Sequence, residues 1–186
     1  LLYFGKIGSG NDKEVKIHSL AAMTLDGLSL PDKTKVDAGW LTRRKAIESV
    51  QYLQPRVPST LKAELRDYQK EGFVWMCRLA QLGFGACLAD DMGLGKTLQA
   101  LGLILSRAQQ GPSLVVAPTS VCMNWQAEIR RFAPTLNFHI IAGATDPAAF
   151  SFGPYDVVVS SYTLLQQEKE FFTSIEWETI VLDEAQ

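Results

Sequence analysis

The chain has 186 residues, of which 47% are hydrophobic and 20% charged, with a formal net charge of −2. That length is about one domain by the usual measure of roughly 100 to 200 residues, and the composition excludes a wholly disordered chain, a collagen-like repeat and a disulfide scaffold. The net charge hides a split, because residues 1–80 carry 13 Lys and Arg against 9 Asp and Glu while residues 81–186 carry 5 against 11; neither part can hold nucleic acid by bulk charge, so any such contact is local.

Residues 1–60 read as an N-terminal appendage of unknown role. It holds a turn cluster at Gly8–Asp12, an apolar segment at Ile17–Leu30 and a polar stretch at Pro31–Asp37. Thr42–Leu53 predicts a short amphipathic helix, with Ala46, Ile47, Val50 and Leu53 at helical spacing and Thr42 as its cap. Pro55 and Pro58 then mark a linker.

From Leu61 the pattern alternates helices with short apolar runs. A helix from Asp67 or Tyr68 to about Leu82 places Trp75, Leu79 and Leu82 on one stripe and Phe73, Cys77 and Ala80 on a second, predicting that it is mostly buried. Gly85–Asp90 predicts a strand, Lys96–Ala108 a helix with Leu101, Ile104, Leu105 and Ala108 on one face, and Ser113–Ala117 a buried strand. Val121, Trp125, Ile129 and Phe132 form the stripe of the next helix. Phe138–Ala142, Asp156–Ser160 and Thr179–Leu182 predict further strands, with a helix from about Thr163 to Phe172 before the last. Apolar strands alternating with helices indicate an α/β fold, a parallel sheet covered on both faces.

No apolar run approaches the ~20 residues that span a bilayer, and the start lacks a signal sequence. Cys77, Cys87 and Cys122 are odd in number, widely spaced and set among apolar residues, so they read as reduced core thiols of a cytoplasmic or nuclear protein. The sequence starts without Met and stops at Asp183-Glu184-Ala185-Gln186, just after an apolar run, which leads us to expect a fragment.

The strongest local signal is Ala89-Asp90-Asp91-Met92-Gly93-Leu94-Gly95-Lys96-Thr97, between a predicted strand and a predicted helix. Gly93 and Gly95 let the backbone bend so that successive N–H groups face phosphate oxygens; the helix N-terminus adds a favourable dipole. Lys96 then reaches the terminal phosphates and the Thr97 hydroxyl ligates Mg²⁺. The strict G-x-x-x-x-G-K-[ST] spacing is not met, because its first glycine falls on Asp90. The alternative is a glycine-rich turn with an incidental lysine. Asp90 and Asp91, taken alone, are solvated loop residues.

Thr179–Leu182 delivers two adjacent carboxylates, Asp183 and Glu184, to the C-terminal end of a strand, the edge where open α/β sheets bind ligands. Alone, this pair is a solvated loop start. Beside a phosphate loop it divides the work: Asp183 holds Mg²⁺ through water and Glu184 orients and deprotonates the attacking water. Gln69 has the donor and acceptor that an adenine edge requires, though a glutamine at a helix start is also an ordinary surface residue. Pro118-Thr119-Ser120 joins a strand to a helix, so its hydroxyls and N–H groups suit either a phosphate or a plain N-cap. Ser160-Ser161-Tyr162 carries the same two readings, and Arg130 and Arg131 fit a helix C-terminus.

Together and in this order, these segments resemble the Swi/Snf family of superfamily-two helicase-like ATPases. Leu65-Arg66-Asp67-Tyr68-Gln69 with Gly72 and Trp75 is similar to the family's adenine-recognition motif, and Asp90–Thr97 to its motif I, which accounts for the missing glycine. Val115–Pro118 with Trp125, Glu128 and Phe132 resembles motif Ia, Val159–Tyr162 the motif between, and Asp183–Gln186 motif II. The resemblance covers about Leu61 to Gln186. It implies the first part of a RecA-like lobe with P-loop architecture, a second RecA-like lobe as partner, ATP and Mg²⁺ as cofactors, and translocation on double-stranded DNA with remodelling of DNA-bound proteins. By position it implies that Arg66, Tyr68, Gln69, Asp91, Met92, Gly93, Leu94, Gly95, Lys96, Thr97 and Leu98 bind ATP. Thr97 and Asp183 would hold Mg²⁺, and Lys96, Asp183 and Glu184 would be catalytic. Pro118, Thr119, Ser120, Ser161 and Tyr162 would lie along DNA.

Relative to that family, this sequence carries nothing after motif II, neither the second lobe nor its arginine fingers. Such an arginine is worth about 10³–10⁵ in rate, so the expectation for this chain alone is weak ATP binding without turnover. A non-hydrolysing nucleotide-binding or partner-docking module is the alternative, against which the intact Lys96, Thr97 and Glu184 argue. A small-molecule P-loop kinase is disfavoured, because Asp-Glu-Ala-Gln and Leu-Arg-Asp-Tyr-Gln have no role in one.

Overall fold

The computed structural model describes residues 38–141, 143 and 150–185. The readings at Gly8–Asp12, Ile17–Leu30 and Pro31–Asp37 lie outside these residues, as do Ala142 and Gln186. The chain divides into two units, Leu1–Leu53 and Gln54–Gln186. In the first, helix α1 spans Ala38–Gln51, starting a turn earlier than predicted. Thr42 is therefore interior rather than a cap, and its hydroxyl donates back to the Ala38 carbonyl at 3.0 Å.

The second unit is built on four parallel strands, β1 (Ser113–Ala117), β2 (Asn137–Ile140), β3 (Asp156–Ser161) and β4 (Thr179–Leu182), in the order β2-β3-β1-β4. Alternation within β1 and β3 divides the core between the two faces. Val115, Ala117, Val157 and Val159 face α2 (Asp67–Gln81), α3 (Lys96–Arg107) and α4 (Thr119–Phe132), where Phe73, Leu101, Ile104, Leu105, Trp125 and Ile129 close over them. Leu114, Val116 and Val158 face α5 (Tyr162–Gln167) and α6 (Lys169–Thr173) through Leu164, Phe171 and Phe172. Burying each such side chain contributes about 1.5–3 kcal/mol, and a continuous Val and Leu strand can collect that on both sides.

The predicted helix over Thr163–Phe172 is two short helices, because Glu168 leaves helical backbone at φ −105 and ψ 37. The predicted strand over Gly85–Asp90 does not form; these residues carry no regular structure and join no ladder. A strand needs a neighbouring ladder, and Gly-Ala-Cys-Leu-Ala has no β-branched or aromatic residue to favour extended pairing. One consequence is at α2, where Gln69, Phe73 and Met76 are the buried residues and Trp75, expected inside, is 42% exposed. Another is at Cys87, which is exposed rather than a core thiol, whereas Cys122 is buried and Cys77 half-buried. Burial pushes the Cys77 and Cys122 thiols up.

The register brings the functional segments to one edge. Ala117 pairs with Ser161 and Val116 with Leu182, so β1 and β3 end level and β4 one residue short of them, and Pro118, Tyr162 and Asp183 leave the sheet at the same end. The Asp183 amide extends the ladder by one bond, donating to the Val116 carbonyl at 2.8 Å.

Candidate nucleotide site

The loop before α3 turns on two glycines in the left-handed region, Gly93 at φ +82 and Gly95 at φ +73. Gly95 is the N-cap of α3, so the helix opens on Lys96 and Thr97 with its first N–H groups turned toward the loop. A side chain at Gly95 is excluded twice, by that φ and because a Cβ would lie 2.4 Å from Gln69 Nε2. Gln69 itself is buried; its Nε2 donates to the Leu94 carbonyl at 3.0 Å and its Oε1 accepts from the Arg66 amide at 2.9 Å. The Tyr68 hydroxyl donates to the same Leu94 carbonyl at 3.2 Å. Gln69 and Tyr68 thus tie the start of α2 to the glycine loop before α3.

Lys96 Nζ donates to the carbonyls of Asp90 and Asp91, at 2.6 and 3.0 Å. The ammonium bridges its own loop at the position where a terminal phosphate would offer stronger, charged acceptors. Asp90, Asp91 and Met92 are exposed, and Leu98 packs against the core.

A cleft of about 520 Å³ runs from this loop to the sheet edge, lined by Gly93, Lys96, Thr97, Trp125, Asp183 and Glu184 among others. Glu184 adopts a left-handed φ of +49, a conformation costly for a residue with a Cβ. Asp183 is held at both ends: Trp125 Nε1 donates to its Oδ2 at 2.8 Å, and the Tyr162 hydroxyl donates to its carbonyl at 2.9 Å. Burial, and then the negative Asp183, hold the Tyr162 phenol above its ordinary value, so it remains a donor.

The donor set suits Mg²⁺. This ion takes one or two protein oxygens and completes its shell with water and phosphate. Thr97 and Asp183 on one cleft supply a hydroxyl and a carboxylate, and the second Asp183 oxygen is the one available to a metal-bound water. Among the described residues there is no group of three or more His, Cys, Asp or Glu that would form an all-protein cage for a metal.

Of the residues expected along DNA, Thr119 and Ser120 are exposed in the first turn of α4, and Pro118 rather than either hydroxyl is its N-cap. The Ser161 hydroxyl instead caps α5, accepting from the Leu164 amide at 3.2 Å. Arg130 and Arg131 occupy the last turn of α4, Arg131 lying 4.7 Å from the Phe132 ring centroid. The link from Trp125 to Asp183 was not visible in the sequence, where Trp125 reads as one more core residue; the signal was that a buried indole N–H needs an acceptor.

Residues 68–186 match the sequence profile of the SNF2-related domain. The chain belongs to the SNF2-related family. It is 43% identical over 151 residues to YwqA of Bacillus subtilis (strain 168), and the match covers 77% of this chain and 16% of that protein. It is 35% identical over 154 residues to the chromatin-remodeling ATPase INO80 of Schizosaccharomyces pombe, covering 74% of this chain and 10% of that one. The fold is similar to the Sulfolobus solfataricus SWI2/SNF2 ATPase core in complex with dsDNA, with a TM-score of 0.63 and 40% identity, covering 72% of this chain and 28% of that chain. The chain therefore spans about a sixth or less of the two full-length relatives and little more than a quarter of the Sulfolobus core. The resemblance seen in motif order and the RecA-like parallel sheet are both borne out.

Proposed function

We propose that this chain is the ATP-binding part of a DNA-dependent ATPase that translocates on duplex DNA and remodels protein–DNA complexes. The observation that carries the reading is the meeting of the Gly93–Thr97 loop with Asp183 and Glu184 on one cleft at the C-terminal edge of a parallel sheet. The relatives support it, one being named a chromatin-remodeling ATPase and another a core bound to dsDNA.

In this reading the N–H groups from Gly93 to Thr97 receive the phosphates of ATP, flanked by Asp91, Met92, Leu94 and Leu98. Lys96 leaves the Asp90 and Asp91 carbonyls for the terminal phosphates. Arg66, Tyr68 and Gln69 border the base, and Gln69, whose Nε2 and Oε1 are already bonded to the Leu94 carbonyl and the Arg66 amide, reads adenine only with the N–H and lone pair left over. Thr97 and Asp183 hold Mg²⁺, which supplies charge neutralisation at the transferring phosphate. Glu184 orients the attacking water and accepts its proton. Pro118, Thr119 and Ser120 lie along the DNA backbone, joined by Ser161 and Tyr162, whose hydroxyls keep their bonds to the Leu164 amide and the Asp183 carbonyl, and the protein works in the cytoplasm of a bacterium or the nucleus of a eukaryote. Among the described residues no helix is long and apolar enough to cross a membrane.

A polypeptide limited to these 186 residues is expected to bind ATP weakly and not to turn it over, because the arginine that stabilises the transferring phosphate would, by the family resemblance, come from a second lobe. Duplex-DNA affinity measured against salt, together with steady-state ATP hydrolysis, tests the proposal. Salt-sensitive duplex binding without turnover is expected. DNA-stimulated turnover by this polypeptide sinks the inactivity, and salt-insensitive or missing duplex affinity sinks the DNA assignment.

A further inference from the structure

Asp183 is fixed at three atoms by three different elements. Its amide donates to the Val116 carbonyl in β1, its carbonyl accepts from the Tyr162 hydroxyl at the start of α5, and its Oδ2 accepts from the Trp125 indole in the middle of α4. Trp125 is 2% exposed and packed in the core, so its ring has no freedom to follow a wandering carboxylate; the carboxylate must come to it. The chemistry of the donor also matters. An arginine or lysine at this point would pair with Asp183 and cancel its charge, whereas a neutral indole N–H fixes one oxygen and leaves the negative charge for a cation.

We infer that Trp125 is a positioning residue for Asp183, which aims the second carboxylate oxygen at the metal side of the cleft, with Tyr162 securing the same residue through its backbone. The inference rests on the assignment of Asp183 to Mg²⁺ made above. Partners that hydrogen-bond a ligating carboxylate set its orientation, and their loss typically costs about 10–100-fold in metal affinity.

The test is the affinity of this chain for a fluorescent ATP analogue, with Mg²⁺ and with chelator, for the unsubstituted chain, Trp125→Phe and Tyr162→Phe. The ratio of the two dissociation constants isolates the metal-dependent part. In Trp125→Phe that ratio is expected to fall about 10-fold or more while the metal-free affinity stays unchanged. Tyr162→Phe removes only a hydroxyl and keeps the test open should the smaller ring at position 125 unfold the chain; it is expected to lower the same ratio several-fold. A full ratio in the folded variants overturns the inference, as does a loss of equal size with and without Mg²⁺, the mark of a purely structural indole. An unsubstituted chain that binds no nucleotide, or whose affinity ignores Mg²⁺, overturns the assignment of Asp183 itself, which is a separate outcome from either variant result.

Discussion

The Gln69 side chain donates to the Leu94 carbonyl at 3.0 Å, fastening the first turn of α2 to the loop that is proposed to cradle phosphate. The contact is possible only because residue 95 has no side chain. Gly95→Ala is therefore expected to impose a strained φ and displace the Gln69 amide together, lowering stability by about 1–3 kcal/mol and weakening ATP binding. Chemical denaturation and nucleotide titration measure the two effects. Wild-type values in both would show that Gly95 is an ordinary turn residue.

Gly72 and Gln99 form a second close approach. A Cβ on Gly72 would lie 2.1 Å from Gln99 Oε1, and Gln99 is fully enclosed with neither amide atom hydrogen-bonded, so the side chain has nowhere to retreat. Gly72→Ala is expected to cost about 1–3 kcal/mol, and adding Gln99→Leu to relieve most of it, since the leucine is shorter and brings no orphaned amide. Additive effects in the double variant, read from urea midpoints, would contradict the contact.

Asp156, at the opposite end of the sheet, gives a pH prediction. Burial raises its carboxyl pKa, but the Gly153 amide at 2.8 Å, His139 Nε2 at 3.1 Å and the Asn137 amide at 3.1 Å more than offset this, and the net shift is downward. On acidification the unfolded chain thus takes up this proton before the folded one does. The stabilisation is complete above the ordinary carboxylate value and is lost as pH falls through the folded value. Asp156→Asn is expected to be less stable than the parent by about 1–2 kcal/mol at neutral pH, the gap closing in acid. A gap independent of pH would assign the loss to packing instead.

Most of the second unit was legible because its signals are local. The Val and Leu runs of β1 and β3 specify strands buried on both faces, the 3.6-residue stripe of Leu101, Ile104 and Leu105 specifies α3, and Gly93 and Gly95 mark the turn between Asp90 and Lys96. What failed was contact-dependent. Gly85–Asp90 is apolar enough to be a strand yet takes no neighbour, and Trp75 is exposed beside it. The site shows the same division. Lys96, Thr97, Asp183 and Glu184 could be picked from residue type and order, but the anchoring of Asp183 by Trp125 and Tyr162 depends on how three strand ends align. The Ser161 hydroxyl looked equally able to cap a helix or meet a phosphate, and only the fold shows that it caps α5.

ATP binding at the Gly93–Thr97 loop is tested by a titration of Mg·ATP into the 186-residue chain and its Lys96→Ala variant, with circular dichroism to confirm that both are folded. Lys96 bonds only to loop carbonyls among its described contacts, so its removal spares the core while taking away, among the described residues, the one cation of the cleft lining. Saturable binding is expected for the parent chain and none detectable for the variant. Equal affinity in the two would contradict binding at that loop.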